Sequence, residues 1–182
     1  MTQHPTHSKH TASEPSENSC HDLAFTLLQD CISVQFNQVD TLDTKANAAQ
    51  VSASTLVGVA LVLQAVLLGG NSTLLHRLFL VVALLPVLLA YALVMYYAGK
   101  GYNISDYKRV PTPSTLLHNL HMTEGEMKQA LLEAMGEAFT LNEHKIKEKV
   151  RAIAHANRAL KIETVFLIVV LLIQTIVPYF LG

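Results

Sequence analysis

The side chains best suited to do chemistry lie in the segment VDTLDTKANAAQ, residues 39–50, where acidic and basic groups stand close together. Asp40, Asp43 and Lys45 fall within six residues, directly before a stretch without charge that begins at Val51. Their chemistry is electrostatic, because a carboxylate beside an apolar stretch needs a cation and a lysine there extends its ammonium toward anionic headgroups. The pattern fits either a belt of interfacial charges or a packed polar lock between helices.

The two carboxylates of this segment have several candidate partners near the apolar stretches. The candidates are Lys45, Lys100, Arg158 and Lys161. Arg158 and Lys161 precede the final apolar stretch at a depth that matches Asp43. We therefore predict that Asp43 pairs along its own helix or with one of these two residues.

The sequence contains no catalytic motif: there is no phosphate-binding loop, no dinucleotide-binding glycine pattern, no nucleophile elbow and no HExxH zinc motif. His118 and His121 are three residues apart, but a metal would need further ligands. The nearest acidic residues, Glu124 and Glu126, suit a helix cap equally well. We expect a protein that is not an enzyme and has no catalytic residue, metal site or cofactor. The net charge of −1 gives no support to a nucleic-acid partner.

Three stretches carry no Asp, Glu, Lys or Arg, namely 51–70, 78–98 and 164–181. At about 1.5 Å per residue, each is long enough to cross a hydrocarbon core of about 30 Å as a helix. We therefore predict an all-α integral membrane protein with three transmembrane helices. The remaining parts are a disordered cytosolic tail at 1–20, a cytosolic and juxtamembrane helix at 21–50, an external loop at 71–77, a cytosolic loop at 99–123 and a cytosolic helix at 124–163.

The distribution of Lys and Arg predicts the orientation. Twelve of the 13 basic residues lie before the first span or between the second and third, and only Arg77 lies in the short loop between the first two. Under the positive-inside rule the N-terminus and the 99–162 segment face the cytoplasm, and the C-terminus is external. Cys20 and Cys31 then lie in a reducing compartment, where a disulfide is not expected.

Two seams of apolar residues with a period of 3.5 run toward the first and third spans. The first seam comprises Phe25, Leu28, Ile32, Gln35, Val39, Leu42, Ala46 and Ala49. The second comprises Met135, Phe139, Ile146, Val150, Ile153, Asn157 and Leu160. We predict a cytosolic helical stalk formed by two long helices that continue into spans 1 and 3. The polar members Gln35 and Asn157 either specify register and oligomeric state or point outward.

Polar groups within the spans are few. Gln64 and Gln174 are the strongly polar side chains deep in them, and each is expected to face the bundle or a neighbouring subunit because facing lipid is costly. One copy offers too few spans to enclose a channel, so we expect a homo-oligomer in the lipid bilayer. No ionisable residue lies at mid-membrane, which argues against an ion-coupled transporter.

The tetrapeptide Asp43-Thr44-Lys45-Ala46, after a cytosolic helix and before a span rich in small residues, resembles the membrane-type Pycsar effector proteins. The order of later elements is also similar: a second span, a polar loop and a basic helix that enters the last span as HKIKEKVRAIAHANRALKIETVFLIVVLLI. The resemblance covers residues 22–182.

This resemblance implies a role in bacterial anti-phage defence. A partner cyclase would make a cyclic mononucleotide, cCMP or cUMP, and the effector would impair the inner membrane and cause abortive infection. If the nucleotide binds this chain, Tyr107, Lys108 and Arg109 are the expected contacts. A different class of function stays open, namely a non-conducting membrane scaffold whose stalk docks a cytosolic partner.

Overall fold

The computed structural model describes residues 17–68, 74–110 and 121–181, and these ranges contain three α-helices and no strand. The helices are α1 (Glu17–Leu68), α2 (Leu74–Tyr102) and α3 (Glu124–Leu181). All three are long and apolar enough to cross a membrane, which confirms the all-helical prediction with three membrane-length helices. Most of the predicted tail, much of the predicted external loop, and the middle of the 99–123 loop with His118 lie outside the described residues.

The helical part of α2 is longer than predicted, because residues 99–102 continue the helix rather than open the loop. The Asn103 N–H donates to the Gly99 carbonyl at 2.9 Å and closes the last turn. Gly101 lies where a Cβ atom would come within 3.2 Å of Ile153 Cγ1. Glycine at this position thus allows α2 to approach α3 closely.

The chain divides into two compact units, Met1–Ser33 with Arg109–Phe139, and Val34–Lys108 with Thr140–Gly182. In the first unit, a capping box formed by Thr123 and Glu126 lies at the start of α3. The Thr123 N–H donates to Glu126 Oε2 at 2.9 Å, and the Glu126 N–H approaches Thr123 Oγ1 at 3.4 Å. Lys128 pairs with Asp22 at 2.9 Å and with Glu124 at 3.0 Å, so the same turn carries charge contacts as well.

The second unit contains the membrane-length stretches of all three helices, which pack through small side chains. One buried cluster comprises Ala49, Ala53, Val94 and Ala159. A second comprises Val57, Val87 and Val170. Small residues let helix backbones approach closely, which is how helices associate inside lipid. Many Val, Leu and Ile side chains of the same stretches point away from the other helices, as shown by Val66 and Leu89, which are 71% and 67% exposed.

The predicted seam of α3 is only partly correct in the second unit. Ile146 and Ile153 are buried as predicted, but Val150 and Asn157 are exposed, and the neighbouring Lys149 and Ala156 are buried in their place. The apolar pattern predicted that Val150 rather than Lys149 faces inward, because lysine side chains are normally exposed to water. Asn157 therefore does not interrupt the interior of this chain, whereas Gln35 of α1 is buried.

Candidate functional site

A buried ion pair joins α1 to α3 just outside the first apolar stretch. Lys149 Nζ lies 2.6 Å from Asp43 Oδ1, and the two side chains are 1% and 31% exposed. Asp43 points inward because it lies three residues before Ala46 and four after Val39, both of which are buried. Removing an ammonium from water costs several kcal/mol, and the carboxylate offsets that cost through its charge.

The ammonium of Lys149 has two further neighbours in the segment that follows α2. It lies 3.4 Å from the Ile104 carbonyl and 5.7 Å from the centroid of the Tyr107 ring, within the range of a cation–π interaction. The Phe36 ring meets Tyr107 edge-on, with centroids 6.4 Å apart. Burial, and secondly the charge of Asp43, raise the pKa of the Tyr107 hydroxyl, which keeps it in the neutral form.

Three side chains of α3 hold residues 104–108, which we call the strap. Asn142 accepts from the Lys108 N–H and donates to the Lys108 carbonyl, both at 2.9 Å. Lys145 donates to the Asp106 carbonyl, and Lys149 to that of Ile104. Because positions 142, 145 and 149 share one face of a helix, α3 holds the strap along its length. The ion pair is thus connected to α1, α3 and the strap.

The structure corrects the predicted partner of Asp43. Lys45 is exposed and lines a groove with Leu42 and Val150, so it does not meet Asp43. Residues two apart on a helix point in different directions, which excludes a pairing within the motif. Neither Arg158 nor Lys161 takes its place, since the observed partner is Lys149, two to three turns earlier on α3.

The other residues of the motif have unequal positions. Asp40 and Thr44 are exposed, and the Thr44 hydroxyl donates to the Asp40 carbonyl at 2.9 Å. Ala46 is 1% exposed and belongs to the packed side of α1. Only Asp43 and Ala46 of the tetrapeptide therefore reach the interior.

The expected nucleotide contacts differ in their surroundings. Tyr107 lies against the ion pair and contributes its ring. Lys108 is held through its main chain, and its residue surface is exposed. Arg109 belongs to the other compact unit.

Sequence reasoning missed a second buried carboxyl group, Glu163, which is 0% exposed. Within the described residues, neither of its oxygens has a hydrogen-bond partner. Gln64 and Gln174 are also buried, and one polar atom of each has no partner in the same part of the chain. Glu163 follows the buried Ala156 and Ala159 at helical spacing, which is the signal that would have identified it.

No protein-family model, no curated protein and no solved structure matches this chain. Among the described residues there is also no group of three or more His, Cys, Asp or Glu side chains that could hold a metal ion. The ion pair, the strap and the three membrane-length helices are therefore the features from which a function can be inferred.

Proposed function

We propose that this protein is a signal-gated membrane effector in which the Asp43–Lys149 pair holds the resting arrangement of the helices. Following its resemblance to the membrane-type Pycsar effectors, the signal is a cyclic mononucleotide made by a partner cyclase during phage infection. The response is loss of integrity of the bacterial inner membrane, with the N-terminus in the cytoplasm and the C-terminus outside.

The observation that carries this proposal is the burial of the ion pair. A buried pair contributes little net stability compared with apolar packing, yet losing one partner costs about 3–5 kcal/mol because the other charge is left unpaired. Such a contact suits a switch, since a ligand that removes one partner changes the preferred packing by a large amount. The pair also lies next to the membrane-length stretches, where a change in packing reaches the bilayer directly.

The strap gives a signal a physical route to the pair. Lys149 binds Asp43 and the Ile104 carbonyl at the same time, and Tyr107 covers its ammonium. An anion that binds near Tyr107 and Lys108 attracts the ammonium and competes with Asp43 for it. We propose that this competition opens the contact between α1 and α3 and that several copies together make the bilayer leaky.

The test is a leak assay with the full-length protein in liposomes that contain a self-quenched dye. We expect dye release on addition of cCMP or cUMP and none on addition of linear CMP or UMP. The variants Asp43→Asn and Lys149→Met should change the response, toward either leak without nucleotide or no leak at all.

A matched control is the pair formed by Glu143 and Lys147, also 2.6 Å apart but with side chains 47% and 65% exposed. An exposed pair contributes only about 0–1 kcal/mol, so Glu143→Gln should leave the response unchanged. Normal gating in Asp43→Asn and Lys149→Met would contradict the lock. Absence of any leak under all nucleotides would contradict the effector function.

A second candidate is the non-conducting scaffold, and one feature favours it. A groove of about 460 Å³ between α1 and α3 is lined partly by Val34 and Val150, which are 53% and 45% exposed. Exposed apolar side chains in a groove suit the docking of a partner helix. Under this alternative the liposomes stay sealed, and Val150→Glu abolishes partner binding.

A further inference from the structure

A polar cleft of about 430 Å³ lies between α1 and the end of α2, and Asp43 is one of its lining residues. Five side chains besides Asp43 line it. They are Thr44, Asn47 and Gln50 of α1, Tyr102 at the end of α2, and Asn103. The cleft shares Asp43 with the proposed lock, whereas its other lining residues take no part in the proposed gating.

The position of the cleft along the helices matches the headgroup layer of a membrane. Gln50 directly precedes the first charge-free stretch, and Gly99, also part of the lining, directly follows the second. From Asp43 to Gln50 α1 rises by about 10 Å. The polar layer on each side of a bilayer is about 5–7 Å thick. The Gln50 end of the cleft would therefore lie among lipid headgroups, and the Asp43 end would lie just beyond the outer edge of that layer.

The lining combines one carboxylate with three carboxamides. Asp43 is its only charged member, and its side chain stays 31% exposed after pairing with Lys149. The amide NH₂ groups of Asn47, Gln50 and Asn103 supply donors for an anionic oxygen. One acceptor charge and several neutral donors complement a zwitterion, that is, an ammonium linked to a phosphate.

The same chemistry distinguishes a primary ammonium from a quaternary one. A primary ammonium brings three N–H donors, which a carboxylate accepts directly. A quaternary ammonium has none and is usually held in a cage of several aromatic rings. This cleft has one ring, that of Tyr102.

We propose that the cleft binds the headgroup of phosphatidylethanolamine, with its ammonium on Asp43 and its phosphate on the carboxamides of Asn47, Gln50 and Asn103. This lipid site shares Asp43 with the Lys149 ion pair, but it does not rest on the proposed defence role. It requires only that the three apolar stretches span a bilayer.

The test is native mass spectrometry of the full-length protein, delipidated in detergent and mixed with equal amounts of phosphatidylethanolamine and phosphatidylcholine. We expect the wild type to bind phosphatidylethanolamine about tenfold more strongly, which corresponds to one charge-assisted hydrogen bond. The double variant Asn47→Ala/Gln50→Ala should bind phosphatidylethanolamine about tenfold more weakly, because it loses two phosphate donors from the surface of α1.

The control is Asn157→Ala, which removes an exposed carboxamide outside the cleft on α3 and should keep the wild-type preference. Equal binding of the two lipids by the wild type would overturn the proposal. So would unchanged phosphatidylethanolamine binding in the double variant. Displacement of the lipid by an equal concentration of free O-phosphoethanolamine would show that the cleft binds a soluble molecule. That result would overturn the proposal that its ligand is a membrane lipid.

Discussion

At the scale of single residues, burial rather than distance separates the charge pairs of this protein. The Asp43–Lys149 and Glu143–Lys147 contacts are both 2.6 Å long. The Lys149 side chain is 1% exposed and that of Lys147 is 65% exposed, so water screens only the second pair effectively. Removing one partner therefore has very different consequences at the two places.

Glu163 presents the opposite case, a buried acidic group to which the described part of the chain offers no hydrogen-bond partner. An ionised carboxylate there would lack compensation, so we expect Glu163→Gln to stabilise the protein by about 1 kcal/mol or more. The measurement is the unfolding midpoint in a titration with denaturing detergent. Glu163→Ala is the control for volume and should be destabilising because it leaves a cavity. A loss of stability in Glu163→Gln would show that the carboxylate has a bound partner.

At the scale of elements, hydrophobic periodicity was sufficient to predict the helices but not the inward face of α3. The three charge-free stretches, the absence of Gly and Pro from residues 22–54 and the absence of Pro from residues 124–163 can all be read from the local sequence. The burial of Lys149 does not, because it depends on a carboxylate more than 100 positions earlier in the chain. The two hydrogen bonds between Asn142 and the main chain of Lys108 are equally non-local, because Lys108 lies in a segment without hydrophobic periodicity.

The start of α3 gives a prediction for one element. Hydrogen bonds from Thr123 lower the pKa of Glu126 below its ordinary value of 4.5. The Glu126 carboxylate is therefore charged, and the capping box intact, at any pH above 4.5. It weakens as the pH falls through the lowered pKa, because protonation removes the charged acceptor. We expect Thr123→Ala to speed amide exchange in the first turn of α3 about fivefold at neutral pH, the usual effect of losing a helix cap.

The measurement is hydrogen exchange of residues 124–127 in the full-length protein. Thr140→Ala is a suitable comparison, because this exposed threonine lies within α3, away from its first turn. Unchanged exchange in Thr123→Ala would mean that other contacts determine where the helix begins. Lys128 and its two carboxylate partners are the first candidates.

At the scale of the whole molecule, we propose that each of the three membrane-length helices crosses a bilayer once, which would leave the two ends of the chain on opposite sides. α1 and α3 contain 52 and 58 residues, far more than the about 20 that a span requires. Each would therefore have a long part outside the hydrocarbon core. From the distribution of Lys and Arg we expect these parts to be cytoplasmic.

This topology is testable with a reporter that is active only in the cytoplasm. A fusion after Gly182 should be silent, and an insertion near Pro113 should be active, because the odd number of spans separates these positions. The reciprocal reporter, active only outside, should give the inverse pattern. An active cytoplasmic reporter at Gly182 would require an even number of spans.

The two hydrogen bonds that Asn142 makes to the main chain of Lys108 also have a consequence for proteolysis. Trypsin cleaves after lysine and must first take the substrate main chain into an extended, strand-like pairing. In this protein Asn142 already occupies both the N–H and the carbonyl of Lys108. The peptide bond after Lys108 is thus protected for as long as the strap stays on α3. A cut at this bond therefore reports that the strap has left α3. Brief trypsin digestion of permeabilised cells would follow the proposed switching of the protein without any label.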